Sequence, residues 1–68
     1  MTVAVIYEKG SKNWAAYVPD LPGCISTGTS RAEVECNIKQ AILYHLRGLR
    51  EDGQPIPEPT SEVGLVRV

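Results

Sequence analysis

A single amphipathic stretch between Ser30 and Gly53 constrains the fold more than any other feature of the chain. Ser30 and Glu33 match a capping box, in which the serine hydroxyl and the glutamate carboxylate each accept a backbone amide at the start of a helix. Gly53 can adopt the left-handed conformation that ends a helix, and the prolines after it prevent continuation. At about 3.6 residues per turn, the apolar residues of this stretch fall on one stripe. They are Val34, Ile38, Ala41, Ile42, Leu46 and Leu49.

Runs of β-branched and aromatic residues predict strands on both sides of this helix. Three such runs precede it, at Thr2–Glu8, Trp14–Val18 and Cys24–Gly28. A fourth, Val63–Val68, follows an extended, proline-rich tether at Gln54–Pro59. The order β-β-β-α-β predicts a two-layer α+β fold, in which one helix covers one face of a four-stranded sheet.

The chain has only 68 residues, which predicts a single domain over residues 1–68. A domain of this size buries only about 60% of the surface that its unfolded chain exposes, so it needs additional stabilisation. Its two cysteines are too few for a disulfide framework, and they lack the spacing of a metal site. By elimination, we expect self-association or a bound partner.

Charge and hydropathy exclude several functional classes. Seven Lys and Arg residues against eight Asp and Glu residues give a net charge of -1 without a cationic run. Binding that rests on phosphate neutralisation needs clustered cations, so nucleic acid is a weak candidate partner. The sequence contains neither a long apolar stretch nor a signal-peptide pattern, and we therefore expect a cytoplasmic protein that does not bind membranes.

Residues that could perform catalysis are few and scattered. Phosphate-cradle, dinucleotide, hydrolase-elbow and zincin motifs are absent, and the carboxylates do not converge on one predicted strand or helix face. His45, the only histidine, falls within the apolar stripe, which favours a structural role over that of a general base. We expect no catalytic residue, no cofactor and no metal site.

The first strand and the corner after the second strand are the candidate contact regions. Tyr7 and Trp14 could lie on the face of the sheet that the helix leaves uncovered, where apolar side chains suit a protein interface. The alternative is that the sheet simply tolerates exposed apolar residues. The corner combines two prolines and a glycine, so we expect a rigid turn. Its residues are Pro19, Asp20, Leu21, Pro22 and Gly23.

Asp20 has two interpretations within this corner. The simpler one is that its carboxylate bonds nearby backbone amides and shapes the turn. The sharper one is a direct contact with a partner.

Several of these segments together resemble the HicB-like antitoxin family of type II toxin-antitoxin systems. The resemblance rests on Tyr17–Cys24, on Thr27-Gly28-Thr29 before the capped helix, and on Asp52-Gly53 followed by Ile56-Pro57-Glu58-Pro59. It implies a partial ribonuclease-H-like fold, in which the fourth strand returns beside the first. It also implies an antitoxin that binds and masks a small mRNA-cleaving toxin of the HicA type, and a homo-oligomer, dimeric or tetrameric.

The resemblance implies binding rather than catalysis, so we expect a protein that is not an enzyme. Members of the family often carry a C-terminal DNA-binding module. We expect a short stand-alone member without that module, and hence no direct DNA binding. Two alternatives stay open at this stage: a module that binds RNA or another nucleic acid by shape, and a vestigial nuclease-like domain.

Overall fold

A computed structural model describes all 68 residues and contains three strands and one helix. The strands are β1 (Ile6–Lys9), β2 (Trp14–Tyr17) and β3 (Ile25–Gly28), and the helix is α1 (Arg31–Glu51). The strands form an antiparallel sheet in the order β1-β2-β3. The α+β class and the order of these four elements are therefore confirmed.

The register of the strands assigns each strand residue to one face of the sheet. Ala16 pairs with Tyr7 of β1 and with Ser26 of β3. Since Ala16 is completely buried, this row faces α1, which packs mainly on β2 and β3. Successive side chains in a strand point to opposite faces, so the residues next to Ala16 belong to the uncovered face.

Both ends of α1 have the expected caps. The Ser30 hydroxyl accepts the Glu33 amide at 3.0 Å. The Glu33 carboxylate accepts the amide and the hydroxyl of Thr29, both at 3.1 Å, instead of the Ser30 amide that we predicted. At the other end, Gly53 has a φ of 66°, and the Gln54 amide donates to the Leu49 carbonyl at 2.8 Å. These bonds complete a Schellman motif.

The core lies between α1 and the sheet and includes the corner after β2. Val34 and Ile38 are the most deeply buried residues of the helix, and Leu46 is nearly as well buried. Ala41, Ile42 and Leu49 pack against this core from partly exposed positions, which confirms the predicted stripe.

Two of the predicted strands differ from the structure by more than one residue at an end, whereas β2 and β3 are each one residue shorter than predicted. β1 begins at Ile6 rather than Thr2, because its last partner is Tyr17. Beyond Tyr17 the Val18 amide donates to the Cys24 carbonyl, and Pro19 has no amide to offer. Residues 63–68 form no strand. They are exposed to solvent, and they pair with none of the three strands of the sheet.

Candidate protein-binding surface

The uncovered face of the sheet carries an apolar row that crosses all three strands. Ile6 pairs with Tyr17, and Tyr17 pairs with Ile25, so the three side chains are direct neighbours. The exposed fraction is 39% for Tyr17 and 62% for Ile25, whereas Ile6 is half-buried. We call these three residues the open-face row. A contiguous exposed apolar row of this kind is typical of a protein-binding surface.

The corner between β2 and β3 borders this row and is built from two consecutive turns. The Leu21 amide donates to the Val18 carbonyl at 3.1 Å, and the Cys24 amide donates to the Leu21 carbonyl at 3.0 Å. Gly23 has a φ of 83°, which the second turn, with Pro22 before it, requires for a type II geometry. Two hydrogen-bonded turns therefore define the corner.

The side chains of the corner divide between the core and the surface. Leu21 is completely buried and anchors the corner from below, so it is not accessible to a partner in this structure. Pro19, Pro22 and Gly23 are exposed beside the open-face row. Of the corner residues that we predicted as partner contacts, these three offer free surface.

Asp20 bonds a distant segment instead of its own turn. Its carboxylate accepts the amides of Thr60 and Ser61 at 3.2 and 3.1 Å, and also accepts their hydroxyls. These bonds favour the charged form, with the Ser61 amide contributing most, and they lower the pKa of Asp20. The expected bonds to nearby amides are replaced by this long-range contact.

Tyr7 and Trp14 lie on the helix side of the sheet, not on the uncovered face where we expected them. Both belong to the same face as Ala16 and pack against the core from half-buried positions. The guanidinium carbon of Arg31 lies 3.4 Å from the centroid of the Tyr7 ring, a cation–π contact between β1 and the start of α1. The strand alternation was correct, but the sequence left undetermined which face the helix covers.

The structure contains no group of three or more His, Cys, Asp or Glu residues that could hold a metal ion. Both cysteines are free. Cys24 is buried, and burial raises the pKa of its thiol, whereas Cys36 is exposed on α1. No helix has the length and apolar character needed to cross a membrane.

Sequence reasoning missed two features of this surface. The open-face row could have been found from the period-two alternation of three short strands, once their register was known. The contact of Asp20 with residues 60 and 61 had no local signal, because it joins segments about forty positions apart.

A family model described as the HicB-like antitoxin of bacterial toxin-antitoxin systems matches residues 2–66 of the chain. The match covers every strand and the helix, together with the corner and the tether.

Individual proteins also match most of the chain. The chain is 40% identical over 52 residues to a UPF0150 protein of Helicobacter pylori, covering 76% of this chain and 72% of that one. A UPF0150 protein of Thermoplasma acidophilum is 38% identical over 63 residues, covering 91% of both chains. A 14.9 kDa protein from the rep-hol intergenic region of Haemophilus phage HP1 is 36% identical over 58 residues, or 85% of this chain. The matched region spans 44% of that phage protein.

Among solved structures, the chain matches one from a HicA3 and HicB3 toxin-antitoxin complex. The TM-score is 0.75 with 27% sequence identity, and the match covers 90% of this chain and 72% of the other.

Proposed function

The chain belongs to the HicB-like antitoxin family of bacterial toxin-antitoxin systems, and from this premise we propose that it binds and masks a small mRNA-cleaving toxin of the HicA type. The observation that carries the proposal is its match to a chain of a solved toxin-antitoxin complex, at a TM-score of 0.75 over 90% of its length. Because the substrate of such a toxin is messenger RNA, the proposed site of action is the cytoplasm.

The open-face row is the surface best suited to this contact. Ile6, Tyr17 and Ile25 present a connected apolar strip that the chain does not bury itself. The exposed corner residues Pro19 and Pro22 extend the strip at little entropic cost, because their turns are already fixed. A rigid apolar strip with a fixed border loses little conformational freedom on binding, which favours tight stoichiometric association.

The polar residues of the same face fit an RNA-cleaving partner. Glu8 and Thr27 flank Ala15 in the neighbouring row, and Glu8 is exposed. A surface that binds RNA must attract phosphates and is therefore basic. An acidic side chain beside the apolar strip adds electrostatic complementarity and suppresses contacts with acidic proteins. The chain acts, on this proposal, by occupying the toxin rather than by catalysis.

We assign supporting roles to the remaining residues that were predicted to contact a partner, because of where they lie. Tyr7 and Trp14 support the sheet from the helix side, and Leu21 supports the corner from within the core. Asp20 sets the position of the C-terminal segment through Thr60 and Ser61. We also propose that the chain is a homo-oligomer, since a domain of this size leaves much of its apolar surface exposed.

Co-expression with a small mRNA-cleaving toxin of the HicA type tests the proposal. We expect the full chain to restore growth and to co-purify with the toxin in a fixed ratio. Ile25→Lys places a charge in the open-face row and should weaken both effects by at least tenfold. Leu43→Lys is the matched control, because Leu43 is 61% exposed and Ile25 is 62% exposed, but Leu43 lies on the outside of α1.

Comparison of the two substitutions separates damage to the open-face row from a general effect of an added charge on the protein. Equal loss of toxin binding in both variants would show that the open-face row is not the contact surface. Absence of growth rescue and of co-purification for the unmodified chain would overturn the proposal. Retention of RNA by the chain alone, with a steep dependence on salt, would favour a nucleic-acid-binding module instead.

A further inference from the structure

The turn that joins β1 to β2 borders a small cavity that is open to solvent. Its volume is about 120 Å³, equal to the liquid volume of about four water molecules. The lining consists of Lys9–Trp14, which form the turn and the strand ends beside it, and of Thr29, which precedes α1. We call this cavity the hairpin cavity. Its lining contains two lysines and no acidic residue, a distribution that attracts anions.

The two lysines of the hairpin cavity are not neutralised by a carboxylate. Lys9 and Lys12 are exposed, and both ion pairs of the chain lie within α1. Glu8 is adjacent to Lys9 in β1, but it belongs to the opposite face of the sheet. The Glu33 carboxylate already accepts the amide and the hydroxyl of Thr29. Two positive charges therefore remain unpaired at the cavity.

The backbone of the turn adds hydrogen-bond donors. The Gly10 amide donates to the Asn13 carbonyl at 2.7 Å and closes the turn. The amides of Ser11, Lys12 and Asn13 donate to no carbonyl of the chain. Free backbone amides in succession, together with cationic side chains, are the groups with which proteins bind phosphate oxygens. The turn thus supplies both the charge and the donors of a phosphate site.

Trp14 gives the hairpin cavity an aromatic side. It is half-buried and packs against the core, and it is the only hydrophobic residue in the lining. The face of an aromatic ring can stack on a nucleobase of any sequence. The cavity therefore combines a place for a phosphate group with a side chain suited to a base attached to it.

The number of positive charges distinguishes between phosphate ligands. A phosphomonoester carries a charge of about -1.5 to -2 near pH 7, which two lysines can balance. A polynucleotide spreads its charge over many phosphates, and binding it requires a longer series of cations. The hairpin cavity has two cations in a chain of net charge -1. These charges favour a small phosphomonoester over RNA.

We propose that the hairpin cavity binds a nucleoside monophosphate. Lys9 and Lys12 balance the charge of the phosphate, the free amides of the turn donate to its oxygens, and Trp14 contacts the base. The row in which Lys9 pairs with Trp14 lies at one end of the sheet and on the helix side. The open-face row lies at the other end and on the opposite face. The inference goes beyond the proposed function and does not rest on it.

Tryptophan fluorescence tests the site directly, because Trp14 is the only tryptophan of the chain. We expect a saturable change in its emission when the full chain is titrated with adenosine monophosphate. Adenosine, which lacks the phosphate, should give no saturable change. Inorganic phosphate alone should shift the amide NMR signals of Ser11, Lys12 and Asn13, since these amides are the proposed donors.

Two lysine variants separate binding at the cavity from a general effect of charge. Lys12→Gln removes one of the two cations and should raise the Kd for adenosine monophosphate about tenfold. Lys39→Gln is the matched control, because Lys39 is also exposed and unpaired but lies on α1. Its Kd should change by less than about twofold, since distant surface charges are screened by salt. Circular dichroism should show an intact fold in both variants, because both lysines are exposed.

Several results would overturn the proposal. They are an unchanged emission at millimolar adenosine monophosphate, an equal rise of Kd in both variants, and an equal response to adenosine. Tighter binding of an unphosphorylated oligoribonucleotide would show a surface for RNA instead of a monophosphate site. All these measurements use the chain without toxin, so the growth-rescue test of toxin masking is decided separately.

Discussion

Asp20 and Ser61 lie 41 positions apart in the sequence, and the Asp20 carboxylate accepts both the amide and the hydroxyl of Ser61, at 3.1 and 2.9 Å. Thr60 contributes a second amide and hydroxyl to the same carboxylate. One side chain of the corner therefore holds residues 60 and 61 in place.

Asp20→Ala should release residues 60 and 61 from the corner without unfolding the domain. The substitution removes all four hydrogen bonds to Thr60 and Ser61, whereas the turns of the corner keep their backbone bonds. We expect the amides of residues 60 and 61 to exchange with solvent at least tenfold faster. Glu58→Ala is the control, since it removes an exposed carboxylate from the neighbouring tether. Equal exchange rates in both variants would contradict this role of Asp20.

Acidification should release the same contact. The pKa of Asp20 is lowered below its ordinary value of 3.8, so the folded state holds the carboxylate in its charged form. The stabilisation is present at pH values above 3.8, and it is lost as the pH falls through the lowered pKa. NMR shifts of the Thr60 and Ser61 amides should follow this titration. In Asp20→Asn the titration should disappear, and its persistence would show that another group is responsible.

Gly28 and Gly48 should respond in opposite directions to substitution by alanine. A Cβ atom at Gly28 would lie 2.7 Å from the Val34 amide nitrogen and 3.0 Å from the Val34 Cα, so the start of α1 would have to move. We expect Gly28→Ala to lower the free energy of unfolding by about 1–3 kcal/mol. Gly48 lies within α1 with open space around it, and Gly48→Ala should raise that free energy by about 1 kcal/mol.

Thermal unfolding of the two variants measures this difference. In a domain of this size, 1 kcal/mol corresponds to a shift in Tm of roughly 4–8 °C. The Tm should therefore fall for Gly28→Ala and rise for Gly48→Ala relative to the unmodified chain. A Gly28→Ala chain with an unchanged Tm would mean that the start of α1 can adjust to the added methyl group.

Local features of the fold were predictable because their causes lie within a few residues. The apolar stripe of α1, its Ser30 cap and its end at Gly53 follow from helix periodicity and from backbone preferences. The type II turn at Pro22 and Gly23 follows from the same kind of preference. In each case neighbouring residues determine the conformation, so one sequence is sufficient to predict it.

Long-range features were not predictable in the same way. The alternation of β1 was evident, but whether α1 covers the side of Tyr7 or that of Ile6 depends on how the whole sheet packs. Residues 63–68 have a clear strand pattern, but a strand also needs a neighbouring strand with which to pair. Residues 63–68 pair with no strand of their own chain, so propensity alone predicted a strand that the chain does not form.

The two cysteines should differ sharply in their reaction with a disulfide reagent. Cys36 is exposed on α1, where its sulfur lies 3.7 Å from the Gln40 side-chain amide. Cys24 is only 4% exposed, and burial raises the pKa of its thiol, so the reactive thiolate is both scarce and shielded. Near neutral pH, we expect one thiol per chain to react rapidly in the native state and both to react in denaturant. Cys36→Ser should abolish the rapid phase, and a rapid phase that persists in this variant would show that the corner opens in solution.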